Sequence, residues 1–134
     1  MKILVTGSSG FIGSHLTEYL VERGYGVVAF DRYNNNNHYG WLEKSKYKKK
    51  IEFILGDIRD YDSVNKAMKG CQSVMHLAAL IGIPYSYISP TAYIKTNVEG
   101  TLNILESAKN LKLKQVIITS TSEVYGTAIK KKLS

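Results

Sequence analysis

Three glycines spaced three apart, Gly7, Gly10 and Gly13, stand where an apolar run over Lys2–Thr6 stops and a helical pattern begins. Backbone that bare at a helix N-terminus suits an anion. Main-chain N–H groups there lack intrahelical acceptors, the helix dipole favours negative charge, and a phosphate can come close only where side chains are missing. In a dinucleotide-binding turn one glycine shapes the bend, a second admits the pyrophosphate and a third lets helix and strand pack. The spacing here is G-x-x-G-x-x-G rather than G-x-G-x-x-G, and a ligand-free glycine turn would use the same residues. Two neighbours favour the dinucleotide: the strand and helix that flank the turn, and Asp31, eighteen residues beyond Gly13 at the end of the second strand-like run. A carboxylate there accepts hydrogen bonds from the adenosine ribose hydroxyls and so favours NAD over NADP. Arg32 beside it is the residue that could instead hold a 2′-phosphate.

Other strand ends carry short texts of the same kind. Asp57-Ile58 would set a carboxylate and an apolar side chain near an adenine, or Asp57 would cap the following helix. In His76-Leu77-Ala78-Ala79 the small residues would let a cofactor lie on the backbone, while His76 reads as a satisfied strand histidine. Ligands of open α/β sheets bind at such carboxyl ends.

The elements that must position these residues follow from periodicity. Strand-like runs cover Lys2–Thr6, Gly26–Phe30, Ile51–Leu55, Ser73–Leu77 and Gln115–Thr119, with helical patterns over Phe11–Arg23, Tyr61–Lys69 and Thr91–Asn110. The first helix would place Ile12, His15, Leu16, Tyr19 and Leu20 on one stripe, with Gly24 as its stop. Strand alternating with helix implies parallel strands joined by right-handed crossovers. The Asn- and Lys-rich stretch Tyr33–Lys50 reads as a long loop with a short helix around Trp41–Lys46.

Bulk properties bound the function. With 134 residues the chain fits one domain of ordinary size, small for an enzyme with separate cofactor and substrate lobes. No apolar run reaches the roughly 18 residues a membrane span needs, and Met1 leads directly into the first strand, so the cytoplasm is the default address. The single cysteine, Cys71, excludes an internal disulfide and a cysteine-rich metal site, and reads as a small buried hydrophobe. The net charge of +7 is concentrated at 44–50, 109–114 and 130–132, which reads as solvated faces and a basic end rather than a nucleic-acid surface.

Taken in order, TGSSGFIGSHL, Asp31, GDI at 56–58, HLAA at 76–79, TNVEGT at 96–101 and STSEVYG at 120–126 resemble the extended short-chain dehydrogenase/reductase family, the NAD-dependent epimerases and dehydratases of nucleotide sugars. The likeness runs to about Ala128. The stretch AALIGIPYSYISPTAYIKTNVEGT is most similar to the 4,6-dehydratases, in particular those of UDP-N-acetylglucosamine, with the dTDP-glucose enzymes as relatives. The resemblance implies a three-layer Rossmann-type doubly wound parallel sheet of order 3-2-1-4-5. It implies cofactor contacts at Gly7, Gly10, Phe11, Ile12, Gly13, Asp31, Arg32, Asp57, Ile58, Leu77, Ala78, Ala79, Asn97 and Ser120. Asn97 would lie near the nicotinamide ribose, or else serve helix packing. Sugar contacts would fall on Ser86 and Thr121.

The same resemblance implies chemistry that begins with oxidation of the sugar at C4, giving a 4-keto sugar. Thr121 matches the hydroxyl that bonds the sugar 4-oxygen, and Glu123 the dehydratase glutamate that removes the C5 proton. Ser122 stands where glucose dehydratases carry the aspartate that protonates the leaving hydroxyl. The Thr-Ser-Glu triplet is also similar to UDP-glucuronate decarboxylases, which lose carboxylate after the same oxidation. The family's Tyr-x-x-x-Lys pair, base and pKa-lowering cation, is missing: none of the ten tyrosines has a lysine four residues on.

The resulting expectation is an NAD-binding domain over 1–128, a basic tail over 129–134 and no C-terminal substrate-binding domain within the sequence. A nucleotide-diphosphate sugar is the implied small-molecule partner, and a second copy or a complementing C-terminal chain the implied protein partner. A catalytically silent NAD-binding fragment, or half of a split enzyme, is the competing reading.

Overall fold

The structure is a computed structural model that describes residues 1–126. Five strands, β1 (Lys2–Thr6), β2 (Gly26–Arg32), β3 (Ile51–Gly56), β4 (Ser73–His76) and β5 (Gln115–Ile118), form one parallel sheet of order β3-β2-β1-β4-β5. This is the doubly wound, Rossmann-type sheet expected from the sequence. The order reverses between β1 and β4, and the crevice above their carboxyl ends is where such sheets bind ligands. The basic tail expected over 129–134 lies outside the described residues.

Alternation along β1 divides the core. Leu4 faces a cluster with Val28, Phe30, Val64, Met68 and Ile104 beneath α2 (Tyr61–Met68) and α5 (Gly100–Asn110). Ile3 and Val5 face the other way, toward Leu20 and Val21 of α1 (Phe11–Glu22) and Leu42 of the long loop. Strands buried on both faces read as continuous apolar runs, which is why β1 and β2 show so plainly in the sequence. Cys71 is buried beside the α2–α5 layer, and burial pushes its thiol pKa up.

Four expectations change. The stripe of α1 that meets the sheet is Gly13, Ser14, Thr17, Leu20 and Val21, whereas Ile12, His15 and Tyr19 are exposed. Small and polar residues face the strands because the helix begins so close to β1; large ones would not fit. A short helix, α3 (Ile83–Ile88), lies where no element was expected. The long helix starts earlier and is not uniform: α4 (Pro90–Tyr93) passes through a π-helical turn at Ile94–Glu99 into α5. The loop after β2 holds two 3₁₀ turns, Gly40–Lys44 and Lys48–Lys50, where one short helix was expected.

Candidate cofactor site

Each of the three glycines meets a different constraint. Gly7 has φ +70°, and a Cβ on it would lie 2.8 Å from the Ala78 nitrogen, so it makes the bend and lets β1 pass under the end of β4. A Cβ on Gly13 would lie 2.1 Å from the Gly7 carbonyl oxygen, which leaves α1 and the turn no room for any side chain between them. At Gly10 the nearest atom would be 3.4 Å away, again the Gly7 oxygen, so this position faces open space. Gly10 is the N-cap of α1 and makes no side-chain cap, and the first-turn amides at Phe11 and Ile12 start the helix there. That is a cradle a Cβ would fill, and its chemistry fits a pyrophosphate.

A cleft of about 200 Å³ opens beside the turn and gathers Gly7, Asp31, Arg32, Asp57, Ile58, Ala78 and Ala79 from four strand ends. Phe30, Arg59, Leu80 and Thr96 complete its lining and were not anticipated. Asp31 accepts from Ser8 Oγ, from Ser9 Oγ at 2.7 Å and from the Ser9 amide at 2.9 Å. Arg59 grips Asp57 through Nε at 2.9 Å and a terminal nitrogen at 2.5 Å, and the pair holds the Asp57 carboxyl below the usual carboxylate range. The Asp-x-Arg spacing in GDIR was the available signal for it. The cap of α2 is Asp60, accepting from the Asp62 amide at 3.1 Å, so Asp57 does not fill the capping role weighed from sequence. Ile58 touches the cleft but is mostly core, packed so closely on Gly100 that a Cβ there would meet its Cδ1 at 2.7 Å. Leu77 packs into the α1-side core.

Beneath the cleft, His76 is buried at the β1–β4 junction. Its Nδ1 lies 2.6 Å from Thr6 Oγ1 and its Nε2 3.1 Å from Thr101 Oγ1. Burial lowers its pKa to about 4. It is the satisfied strand histidine read from the sequence.

Asn97 lies on the π-helical turn. Its Oδ1 accepts from the Leu80 amide at 2.8 Å and its Nδ2 donates to the Leu80 carbonyl at 2.9 Å, so both polar groups hold the segment after β4. Ser86 donates to the Ile83 carbonyl at 2.6 Å within α3. Thr121 caps the 3₁₀ turn Ser122–Tyr125, accepting from the Glu123 amide at 3.3 Å. Ser120, Thr121, Ser122 and Glu123 are exposed after β5, and neither they nor Ser86 line the cleft.

A parallel sheet with a glycine turn at β1, a carboxylate at the end of β2 and small residues after β4 defines a Rossmann-type dinucleotide-binding fold. The family model described as GDP-mannose 4,6 dehydratase matches residues 4–134, and the chain belongs to that family of nucleotide-sugar enzymes. It is 40% identical over 129 residues to the UDP-N-acetyl-alpha-D-glucosaminuronate decarboxylase of Bacillus cytotoxicus, covering 93% of this chain and 38% of that one. Among solved structures, DesIV, the dTDP-glucose 4,6-dehydratase of Streptomyces venezuelae with NAD and TYD bound, matches with a TM-score of 0.88 and 29% identity over 99% of this chain and 43% of its own. The UDP-glucose-4-epimerase of Stenotrophomonas maltophila, with NAD and a formylated UDP-arabinopyranose, matches with a TM-score of 0.87 and 28% identity, covering 99% of this chain and 40% of that one. The chain thus spans about two fifths of the relatives' length. Among the described residues no helix is long and apolar enough to cross a membrane, and no cluster of three or more His, Cys, Asp or Glu could hold a metal.

Proposed function

We propose that this chain is the NAD-binding part of a nucleotide-sugar 4,6-dehydratase of the UDP-N-acetylglucosamine type, with a 4-epimerase or a UDP-glucuronate decarboxylase of the same family as the second reading. The observation that carries the cofactor is the Gly7–Gly10–Gly13 turn, whose Gly7 lines one cleft with Asp31, Ala78 and Ala79 while Gly10 faces open space at the start of α1. The dehydratase reading rests on Glu123 and on the Ser86–Thr121 likeness. The decarboxylase reading rests on Thr121-Ser122-Glu123 and is supported by the 40% identity to a decarboxylase of the related UDP-N-acetyl-alpha-D-glucosaminuronate.

Each residue has a task in this reading. The amides at the start of α1 bind the pyrophosphate, Asp31 accepts from the adenosine ribose, and Ala78 and Ala79 leave the backbone bare beneath the dinucleotide. Asn97 fixes the Leu80 segment that walls the cleft. NAD, when bound, supplies a hydride acceptor and donor, so that the cofactor is recycled. Thr121 would hold the sugar 4-oxygen and Glu123 would take a proton from C5.

Titration calorimetry with NAD and NADP tests the cofactor site. NAD should bind roughly tenfold or more tightly than NADP, because hydrogen bonds to a charged group contribute about 1.5–3 kcal/mol and the carboxylate repels a 2′-phosphate. Gly10→Val should abolish NAD binding and leave the melting temperature nearly unchanged, since its side chain enters open space on the anion's side of the turn. Unchanged affinity in Gly10→Val would sink the site assignment.

A further inference from the structure

The two serines between Gly7 and Gly10 face Asp31 rather than the open side of the turn. Ser8 is fully buried and its Oγ donates to Asp31 Oδ2; Ser9 donates twice, Oγ to Oδ2 at 2.7 Å and the amide to Oδ1 at 2.9 Å. Ser9 is itself pinned from outside, because its carbonyl accepts from the Trp41 amide at 3.1 Å and Gly40 sits where a Cβ would come within 2.4 Å of that oxygen.

Resting on the NAD reading above, we propose that Ser8 and Ser9 are positioning residues for Asp31 and thereby set the discrimination between a free and a 2′-phosphorylated adenosine ribose. A carboxylate offers about four acceptor sites. Three are taken by the serines, so the group is held in one orientation with an Oδ1 site left over, and a ribose hydroxyl meets a preorganised acceptor. The same three donors would otherwise face the opposite kind of ligand. A shallow depression bounded by Asp31 itself is also lined by Ser9, Arg32, Asn34, Asn36 and His38. With the carboxylate removed, the serine donors and Arg32 would together suit a phosphate. Asp31 therefore does two things at once: it reads the ribose, and it occupies the donors a 2′-phosphate would need. Arg32 by itself does not decide the choice.

The test is a thermodynamic cycle by titration calorimetry on the full 134-residue chain: wild type, Ser9→Ala, Asp31→Ala and the double variant, each with NAD and with NADP. Ser9→Ala should shrink the NAD:NADP affinity ratio by roughly tenfold, the worth of one hydrogen bond to a charged group. On the Asp31→Ala background the same change should leave NAD affinity where it is and weaken NADP instead, so that the two substitutions are not additive. Equal loss of both cofactors in Ser9→Ala, as from a loosened turn, would overturn the proposal, and so would additivity. Ser8→Ala carries the same expectation; because Ser8 is buried, its readout is the ratio, which a smaller folded fraction does not change. Wild type that binds neither cofactor overturns the NAD reading and this proposal together. Wild type that prefers NAD, with a ratio unmoved by either serine, overturns this proposal alone.

Discussion

His76 shows how one buried residue joins three elements. Thr6 Oγ1 accepts from the Leu77 and Ala78 amides, both at 3.2 Å, which turns its own proton toward His76 Nδ1. Thr101 Oγ1 donates to the Asn97 carbonyl at 2.7 Å, leaving it an acceptor for His76 Nε2–H. The imidazole is therefore neutral with its proton on Nε2, and a second proton would have no acceptor. Its folded pKa of about 4 lies below the ordinary 6.5, so the unfolded chain binds the proton more readily between those values. Stability is complete above about pH 6.5 and falls as the pH drops toward 4, by up to about 3 kcal/mol. Urea unfolding at a series of pH values should show that slope, and His76→Gln should remove it. Asp57, whose carboxyl lies below the usual range, gives up its contribution only at lower pH. A wild-type profile that is flat from pH 6.5 to 4 would refute the assignment.

At the scale of elements, the π-helical turn at Ile94–Glu99 sets the cleft wall. π turns are uncommon and concentrate at functional sites; this one places Asn97 against the Leu80 backbone and Thr96 on the cleft. It hands over to α5 at Gly100, where the helix lies so close to Ile58 that a Cβ would come within 2.7 Å of Cδ1. Overpacking of this kind costs about 1–3 kcal/mol, so Gly100→Val should lower the melting temperature by on the order of 5 °C or more. Ile58→Val deletes the Cδ1 methyl and should recover part of the loss in the double variant. Additive melting shifts would show that the two residues do not share this contact.

For the whole molecule, the distribution of exposed apolar surface is uneven. Val116, Ile117 and Ile118 of β5 and Leu102 and Leu105 of α5 are exposed, at the edge where the sheet has no further described strand. Thr121 and Glu123 follow that edge, exposed and not among the residues that line the cleft. A base held within hydrogen-bond reach contributes about 10²–10⁴-fold to rate, and orientation of the substrate a further large factor. The 134 residues contain no Tyr-x-x-x-Lys to supply the first. The purified chain should therefore bind NAD and yet form no 4-keto sugar from UDP-N-acetylglucosamine or dTDP-glucose. Absorbance of the 4-keto product in alkali after long incubation is the measurement. Product formed by wild type and lost in Glu123→Gln would show that this chain is catalytically sufficient. Adding a separately expressed C-terminal part of a relative, carrying the Tyr and Lys, should restore turnover.

What the sequence determined by itself was whatever rests on local pattern. Parallel strands read as short apolar runs, whether buried on both faces as β1 and β2 are or exposed at the sheet edge as β5 is, so all five appeared with their ends in place to within two residues. Glycines at positive φ or in contact with backbone admit no substitute, which made the turn recognisable before any coordinates. Tertiary structure alone decided which partner each polar group takes. Nothing local to Asn97 says that its amide spans the Leu80 backbone seventeen residues away, nor does anything near Asp31 say that two serines just beyond the neighbouring strand β1 hold it. The face of α1 was misread for the same reason: its amphipathic pattern allowed a stripe through Ile12, His15 and Tyr19, and only the closeness of the helix to β1 selects small Gly13, Ser14 and Thr17 instead.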